Sequence, residues 1–176
     1  AMQWMAGDVS ATTGIKGAGD FLSKTIRGKV TGESVIKPEY TGDGTLVLEP
    51  TYKHIILLDL DEWGNSIVLD DGLFLACEST LKQKAVRRKT FSSAFVGGEG
   101  FFNLGLKGSG VVCIESDCSR EELVEITLED DVVKIDGNLA IAWSGSLDFT
   151  VERAGKSLLG SAASGEGLVN VYRGTG

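Results

Sequence analysis

Along most of the chain apolar residues recur at every second position, as at Leu46 and Leu48 or at Val112 and Ile114. A period of two marks strands that bury one face and leave the other to solvent. These runs are punctuated by Gly-x-Gly turns at Gly42 and Gly44, Gly108 and Gly110, and Gly174 and Gly176. Glycine enters the left-handed conformations that tight turns need without a Cβ clash. The pattern therefore predicts an all-β chain of many strands. The one helical signal is Ser119 followed by Arg120, Glu121 and Glu122, a capping-box arrangement worth a turn or two. Its alignment with an apolar strand earlier in the chain argues instead for a strand there. Residues 12–29 are glycine-rich and read as an extended loop.

The same pattern is written nearly three times. Gly-Glu pairs start at Gly32, Gly98 and Gly165, followed by Glu33, Glu99 and Glu166, and each precedes one of the Gly-x-Gly turns. The second and third pairs extend to Gly100 and Gly167 and lead to Asn103 and Asn170. At an offset of 66, Leu46, Leu48 and Glu49 fall on Val112, Ile114 and Glu115. Leu57, Leu58, Asp59 and Leu60 fall likewise on Leu123, Val124, Glu125 and Ile126. A third block, Leu75, Ala76 and Cys77 with Leu81, falls on Ile141, Ala142 and Trp143 with Leu147, and Gln3, Trp4 and Met5 form its first copy. A unit of about 66 residues with one apolar face cannot bury that face alone, so the copies are expected to pack together. We expect one all-β domain over 1–176, made of three similar β-lobes at 1–50, 51–116 and 117–176 about a pseudo-threefold axis. The third copy stops at its Gly-x-Gly turn, so the strand written at Leu46 to Leu48 has no third counterpart. Two accounts stay open: residues beyond the given ends, or an open lobe whose edge is covered by another chain.

Composition narrows the function classes. With 17 basic and 25 acidic residues the net charge is −8, which opposes a phosphate backbone, so nucleic acid is not an expected partner. The longest apolar runs, residues 73–77 and 139–143, fall far short of the roughly 20 that span a bilayer. The opening AMQWMAGDVS carries no secretory pattern, and three cysteines without dense spacing read as reduced thiols, so a cytoplasmic location is expected.

The segments GEGFFNLGLKGSGVV and GEGLVNVYRGTG, with the opening AMQWM, resemble the mitochondrial-biogenesis family named for altered inheritance of mitochondria, most of whose members are uncharacterised bacterial proteins. The resemblance covers nearly the whole chain. It implies three lobes related in fold to the tryptophan RNA-binding attenuation protein, of double-stranded β-helix type, and symmetric homo-oligomers with a trimer favoured. It brings no catalytic residues. The chain departs from the pattern at Ser34, which replaces the third residue of the Gly-Glu-Gly turn, and at Pro38, where a strand would continue.

Candidate chemistry is sparse. His54 is the only histidine, and no nucleophile elbow or papain-like cysteine context accompanies it, so a strand-edge role is expected. Cys77, Cys113 and Cys118 lack paired zinc spacing, and Cys77 and Cys113, which correspond to Trp143 and Val47, read as small apolar strand residues. Asp59, Asp61 and Asp70 mimic part of a calcium loop, but Trp63, Gly64 and Asn65 read as a hairpin turn. The glycine-rich segments lack the Lys-Ser/Thr of a phosphate loop. Two charge clusters remain. Lys82, Lys84, Arg87, Arg88 and Lys89 form a basic run and the candidate interaction surface; Glu115, Asp117, Glu121, Glu122, Glu125, Glu129, Asp130, Asp131 and Asp136 form an acidic one. Such patches pair between subunits or steer a protein partner, or keep edge strands soluble.

These readings lead to a non-enzymatic oligomeric scaffold or adaptor, without metal or cofactor. The alternative is a small-ligand binding module with its ligand between lobes or subunits, walled by Trp4, Trp63 and Trp143, although core packing is the commoner use of each tryptophan.

Overall fold

The computed structural model describes residues 2–12, 38–87, 89–90, 102–137, 139–153 and 168–176. The strands are β1 (Met2–Thr12), β2 (Glu39–Leu48), β3 (His54–Asp59), β4 (Ser66–Leu69), β5 (Phe74–Cys77), β6 (Lys82–Arg87), β7 (Lys89–Thr90), β8 (Phe102–Lys107), β9 (Val111–Ser116), β10 (Asp131–Asp136), β11 (Ala142–Ser144), β12 (Asp148–Arg153) and β13 (Leu168–Gly174). Among the described residues the helical content is two 3₁₀ turns, Leu60–Trp63 and Arg120–Glu122. The protein is all-β, as the period of two predicts.

The strands form a β1-β2 ribbon and three sheets ordered β3-β9-β5, β11-β4-β8-β6 and β10-β13-β12-β7. Pairing is antiparallel except between β7 and β12. The middle sheet works on both faces because side chains alternate along each of its strands. Ile67, Leu69, Leu104 and Leu106 point to one side and pack with Ile56, Leu60, Phe74, Val112 and Ile114 of the β3-β9-β5 layer and its turn. Val68 and Trp143 point to the other and pack with Phe149 and Tyr172 of the β10-β13-β12 layer. Two cores thus share one sheet.

The repeat is carried in the strand register. β4 pairs with β8 from Ser66 opposite Lys107 to Leu69 opposite Leu104, and β10 pairs with β13 from Val132 opposite Arg173 to Ile135 opposite Asn170, each residue advanced by 66. β6 on β8 and β12 on β13 repeat each other in the same way. The ribbon is a third copy of part of this unit. Met2, Trp4 and Met5 oppose Leu48, Val47 and Leu46, just as Phe74, Ala76 and Cys77 oppose Ile114, Cys113 and Val112, and both pairs slip register after their first residue. Further along, Ser10 opposite Thr41 matches Lys82 opposite Lys107. Gln3, Trp4 and Met5 are therefore counterparts of Leu75, Ala76 and Cys77, as the sequence pattern indicates.

Glycine at one repeat position is imposed by the backbone that faces it. Gly108 has φ 135° and Gly42 φ 123°. A Cβ on Gly108 would lie 2.9 Å from the carbonyl oxygen of Thr80, and a Cβ on Gly42 would overlap the carbonyl oxygen of Asp8, the residue matching Thr80.

Two sequence alignments need correction. Leu60 donates its N–H to the Gly110 carbonyl at 3.0 Å, whereas Leu128 exchanges two backbone hydrogen bonds with Gly176, at 2.8 and 3.0 Å. The buried counterpart of Leu60 is thus Leu128 and not Ile126. Leu60 enters a four-residue 3₁₀ turn before β4, while Leu128 is followed by a tighter turn through Asp130 at φ 51°, so two residues move from the turn into its approach. The capping-box signal is real as well: Arg120–Glu122 is a 3₁₀ turn in which the Ser119 N–H donates to Glu122 Oε2 at 2.8 Å, where the alignment had placed a strand.

Candidate interaction surface

The basic run begins on β6, an edge strand of the middle sheet, and ends on β7 in the next sheet. Lys82 and Lys84 are exposed. Arg87 closes β6 and Lys89 opens β7, while Arg88 lies outside the described residues. Lys84 sits opposite Gly105, and its stem runs across that glycine: a Cβ there would lie 3.1 Å from Lys84 Cγ. Lysine tolerates this because its methylenes pack while the ammonium stays in water. Lys82 sits opposite Lys107, which is exposed. Like charges facing each other across a ladder repel. Reading along the sequence missed Lys107, because the pairing that brings it beside Lys82 spans 25 positions.

The acidic cluster divides into groups with different surroundings. Asp117 pairs with Lys53 at 3.3 Å and Glu125 with Arg120 at 2.8 Å, both at the surface, where such pairs contribute little. Glu122 is held below the usual carboxylate range by the Ser119 backbone N–H and then by the Ser119 side chain. Glu121 is lowered by its own backbone N–H and then by Ser119. Glu115 is half-buried on β9, and Glu129, Asp130, Asp131 and Asp136 are exposed around β10.

The other candidate residues have structural surroundings. His54 is the exposed first residue of β3. Asp59 Oδ1 accepts the Asp61 N–H at 3.0 Å and caps the first 3₁₀ turn, which ends at Gly64 and Asn65 in left-handed conformations. Among the described residues no group of three or more His, Cys, Asp or Glu is placed to hold a metal ion. Cys77 packs against the first core and Cys118 lies near Ser116. Cys113 faces the opposite side of its sheet, its thiol pushed up by burial and then by Glu115, which keeps it protonated. Trp143 packs tilted against Phe149 at 5.0 Å and edge-on against Tyr172 at 5.3 Å between ring centroids, and Trp63 packs against the first core. Trp4 is 49% exposed, so core packing describes only two of the three.

The two asparagines of the repeat tie down strand ends. Asn103 Nδ2 donates to the Leu69 carbonyl and to Asp70 Oδ1, both at 3.1 Å, and Asn170 Nδ2 donates to the Gly137 carbonyl at 2.6 Å. In the strand register Asn170 matches Leu104, so the asparagines stand one residue out of step. The turn residues Gly32, Glu33, Gly98, Glu99, Gly100, Gly165, Glu166 and Gly167 lie outside the described residues.

Sequence reading also missed an apolar outer face. Leu57, 68% exposed, stands opposite Cys113, and Ile55, 49% exposed, opposite Glu115. Beside them Ala76, Cys77, Glu78, Val111 and Cys113 line an open groove of about 430 Å³. The signal was present in the unbroken apolar run of residues 55–58, which leaves apolar side chains on both faces of β3.

These features define an all-β protein built from a repeated strand unit, with charged and apolar surfaces on its outer strands. The chain belongs to the family described as Mitochondrial biogenesis AIM24, whose model matches residues 1–176. It is 31% identical over 183 residues to an uncharacterised protein of Streptococcus pyogenes serotype M6, an alignment covering 100% of this chain and 71% of the relative. An X-ray crystal structure of a Streptococcus pyogenes protein, solved by a structural-genomics consortium, superposes with a TM-score of 0.67 at 30% identity, over 99% of this chain and 76% of that one. Among the described residues no helix is long and apolar enough to cross a membrane.

Proposed function

We propose that this protein is a non-enzymatic scaffold or adaptor that works in the cytoplasm as a homotrimer of three-lobed, pseudo-threefold chains. The observation that carries this reading is the strand register, in which β10-β13-β12 repeats β4-β8-β6 residue for residue and β1-β2 repeats β5-β9. A repeated rigid frame presents the same surface in several orientations, which serves assembly better than a single catalytic cleft. The basic edge with Lys82, Lys84 and Lys107 fits an acidic partner surface, on a neighbouring subunit or on another protein. Cys77, Cys113 and Cys118 are free thiols, which suits a reducing compartment.

Light scattering on the size-separated chain tests this reading. A mass of three times the 18.6 kDa of one chain is expected, and a monomer at every concentration would remove the scaffold reading. Reversal of the basic run, Arg87→Glu with Arg88→Glu, is expected to weaken assembly or partner capture at low salt, where charge attraction is least screened.

A further inference from the structure

Lys107 of β8 and Arg173 of β13 hold matching places in the repeat, one opposite Ser66 and the other opposite Val132. Arg173 is neutralised on its own sheet: Asp148 stands opposite it, and its guanidinium donates to Glu152 at 2.8 Å and to Thr150 at 3.0 Å. Lys107 instead faces Lys82, with Lys84 two residues along β6, and among the described residues no carboxylate pairs with any of the three. Such a facing pair repels until an anion is brought to it. Leu104 and Leu106 lie in the first core, so alternation turns Lys107, and with it Lys82 and Lys84, to the side of the middle sheet away from the β3-β9-β5 layer. That layer has the opposite character on its own far side. Ile56, Val112 and Ile114 point into the first core, so Leu57 and Cys113 point outward, and Leu57 is 68% exposed. Acids close both ends of this apolar strip. Asp59 stands opposite Val111, whose N–H donates to Glu78 Oε2 at 2.8 Å, and Glu115 stands opposite Ile55. Lys53, just before β3, is paired with Asp117.

Resting on the reading that the protein works as a homotrimer, we propose that the lysine edge of β6 and β8 in one copy docks on the outer face of the β3-β9-β5 sheet in the next. The lysine methylenes lie along Leu57 and Cys113 while the ammonium groups reach Asp59, Glu78 and Glu115. Exposed apolar residues between the acids give the contact an apolar centre inside a charged rim, which an acidic surface alone would lack. The two surfaces sit on opposite sides of one two-layer sandwich, so a two-fold axis between two copies cannot pair both at once. The contact is therefore head-to-tail, the kind that closes into a ring when its rotation allows, and a trimer is such a ring.

Two full-length variants test this by light scattering. Leu57→Lys spoils the outer face, and Lys82→Glu with Lys84→Glu spoils the lysine edge. Each variant is expected to be a monomer with an unchanged circular dichroism spectrum, because all three side chains are exposed. An equimolar mixture is expected to form a two-chain species of twice 18.6 kDa, since each chain supplies the surface that the other lacks. In the unaltered assembly a carbodiimide is expected to join Lys84 or Lys107 to Asp59 or Glu115, an amide that cannot form within one chain across the sandwich. If the unaltered chain assembles but either variant keeps its mass, the mixture stays monomeric, or the lysines join the acids around β10 instead, this inference fails while the scaffold reading stands. If the unaltered chain is a monomer, both fail.

Discussion

At Gly108 the facing backbone decides the residue: Gly108 sits at φ 135°, and the carbonyl oxygen of Thr80, in the turn before β6, lies 2.9 Å from where a Cβ would be. Gly72 makes an informative contrast, because it too has a positive φ, 76°, but a Cβ there meets nothing within 4 Å. Gly72→Ala therefore carries only the left-handed conformational cost, about 1–2 kcal/mol. Gly108→Ala adds a backbone displacement to that cost and is expected to be the more destabilising of the two. Urea midpoints of the two variants, measured side by side, check the order. Equal midpoints would mean that the β6-β8 corner yields without resistance.

The 3₁₀ turn Arg120–Glu122 shows how an element is legible in sequence yet misplaced by a repeat. Ser119 and Glu122 announce a cap by local chemistry alone, and that chemistry holds whatever the neighbouring copy does. The alignment overrode it because an offset of 66 is right for β4, β8 and β6 but not for the approach to Leu128, where length shifts between strand and turn. Periodicity recovered the strands, and the Gly-x-Gly segments mark strand ends at Gly108–Gly110 and at Gly174, whereas Gly42 and Gly44, expected as a turn, lie inside the continuous strand β2; burial of one strand on two different faces, as at Ile67 and Val68, is a tertiary fact that no local pattern carries. Of the basic run, Lys82 and Lys84 were legible as charges, but Lys107 joins them only through strand pairing. The cap has a pH signature. Glu122 is lowered by the Ser119 N–H, so its contribution is complete above the ordinary carboxylate value of about 4.3 and is lost as pH falls through its lower folded value. Glu122→Ala is expected to lower the urea midpoint at neutral pH and to leave it unchanged once both carboxyls are protonated, near pH 2. A variant equally weakened at both pH values would show packing, not the charged cap, to be at work.

Across the whole molecule, the sheet β11-β4-β8-β6 joins two cores that would otherwise be independent. Ile67 is fully buried against the β3-β9-β5 layer, and the next residue, Val68, is 3% exposed against Phe149, Trp143 and Tyr172. Displacing the shared strands would undo both cores, because β4 sets Ile67 and Leu69 in one and Val68 in the other, and β11 sets Trp143 in the second with Ala142 against the first. Local opening of one layer therefore exposes apolar surface of the sheet that the other layer needs, which is the condition for a single cooperative transition. Ile67→Ala should cost about 2–5 kcal/mol through the cavity it leaves. The consequence lies in the partner core: the same substitution is expected to lower the midpoint at which Trp143 leaves its aromatic cluster, although Ile67 faces away from it. Tryptophan fluorescence and far-ultraviolet circular dichroism should then trace coincident curves in both the unaltered chain and the variant. If fluorescence and circular dichroism separate into two transitions, with Ile67→Ala moving only one, the layers unfold independently and the middle sheet does not couple them.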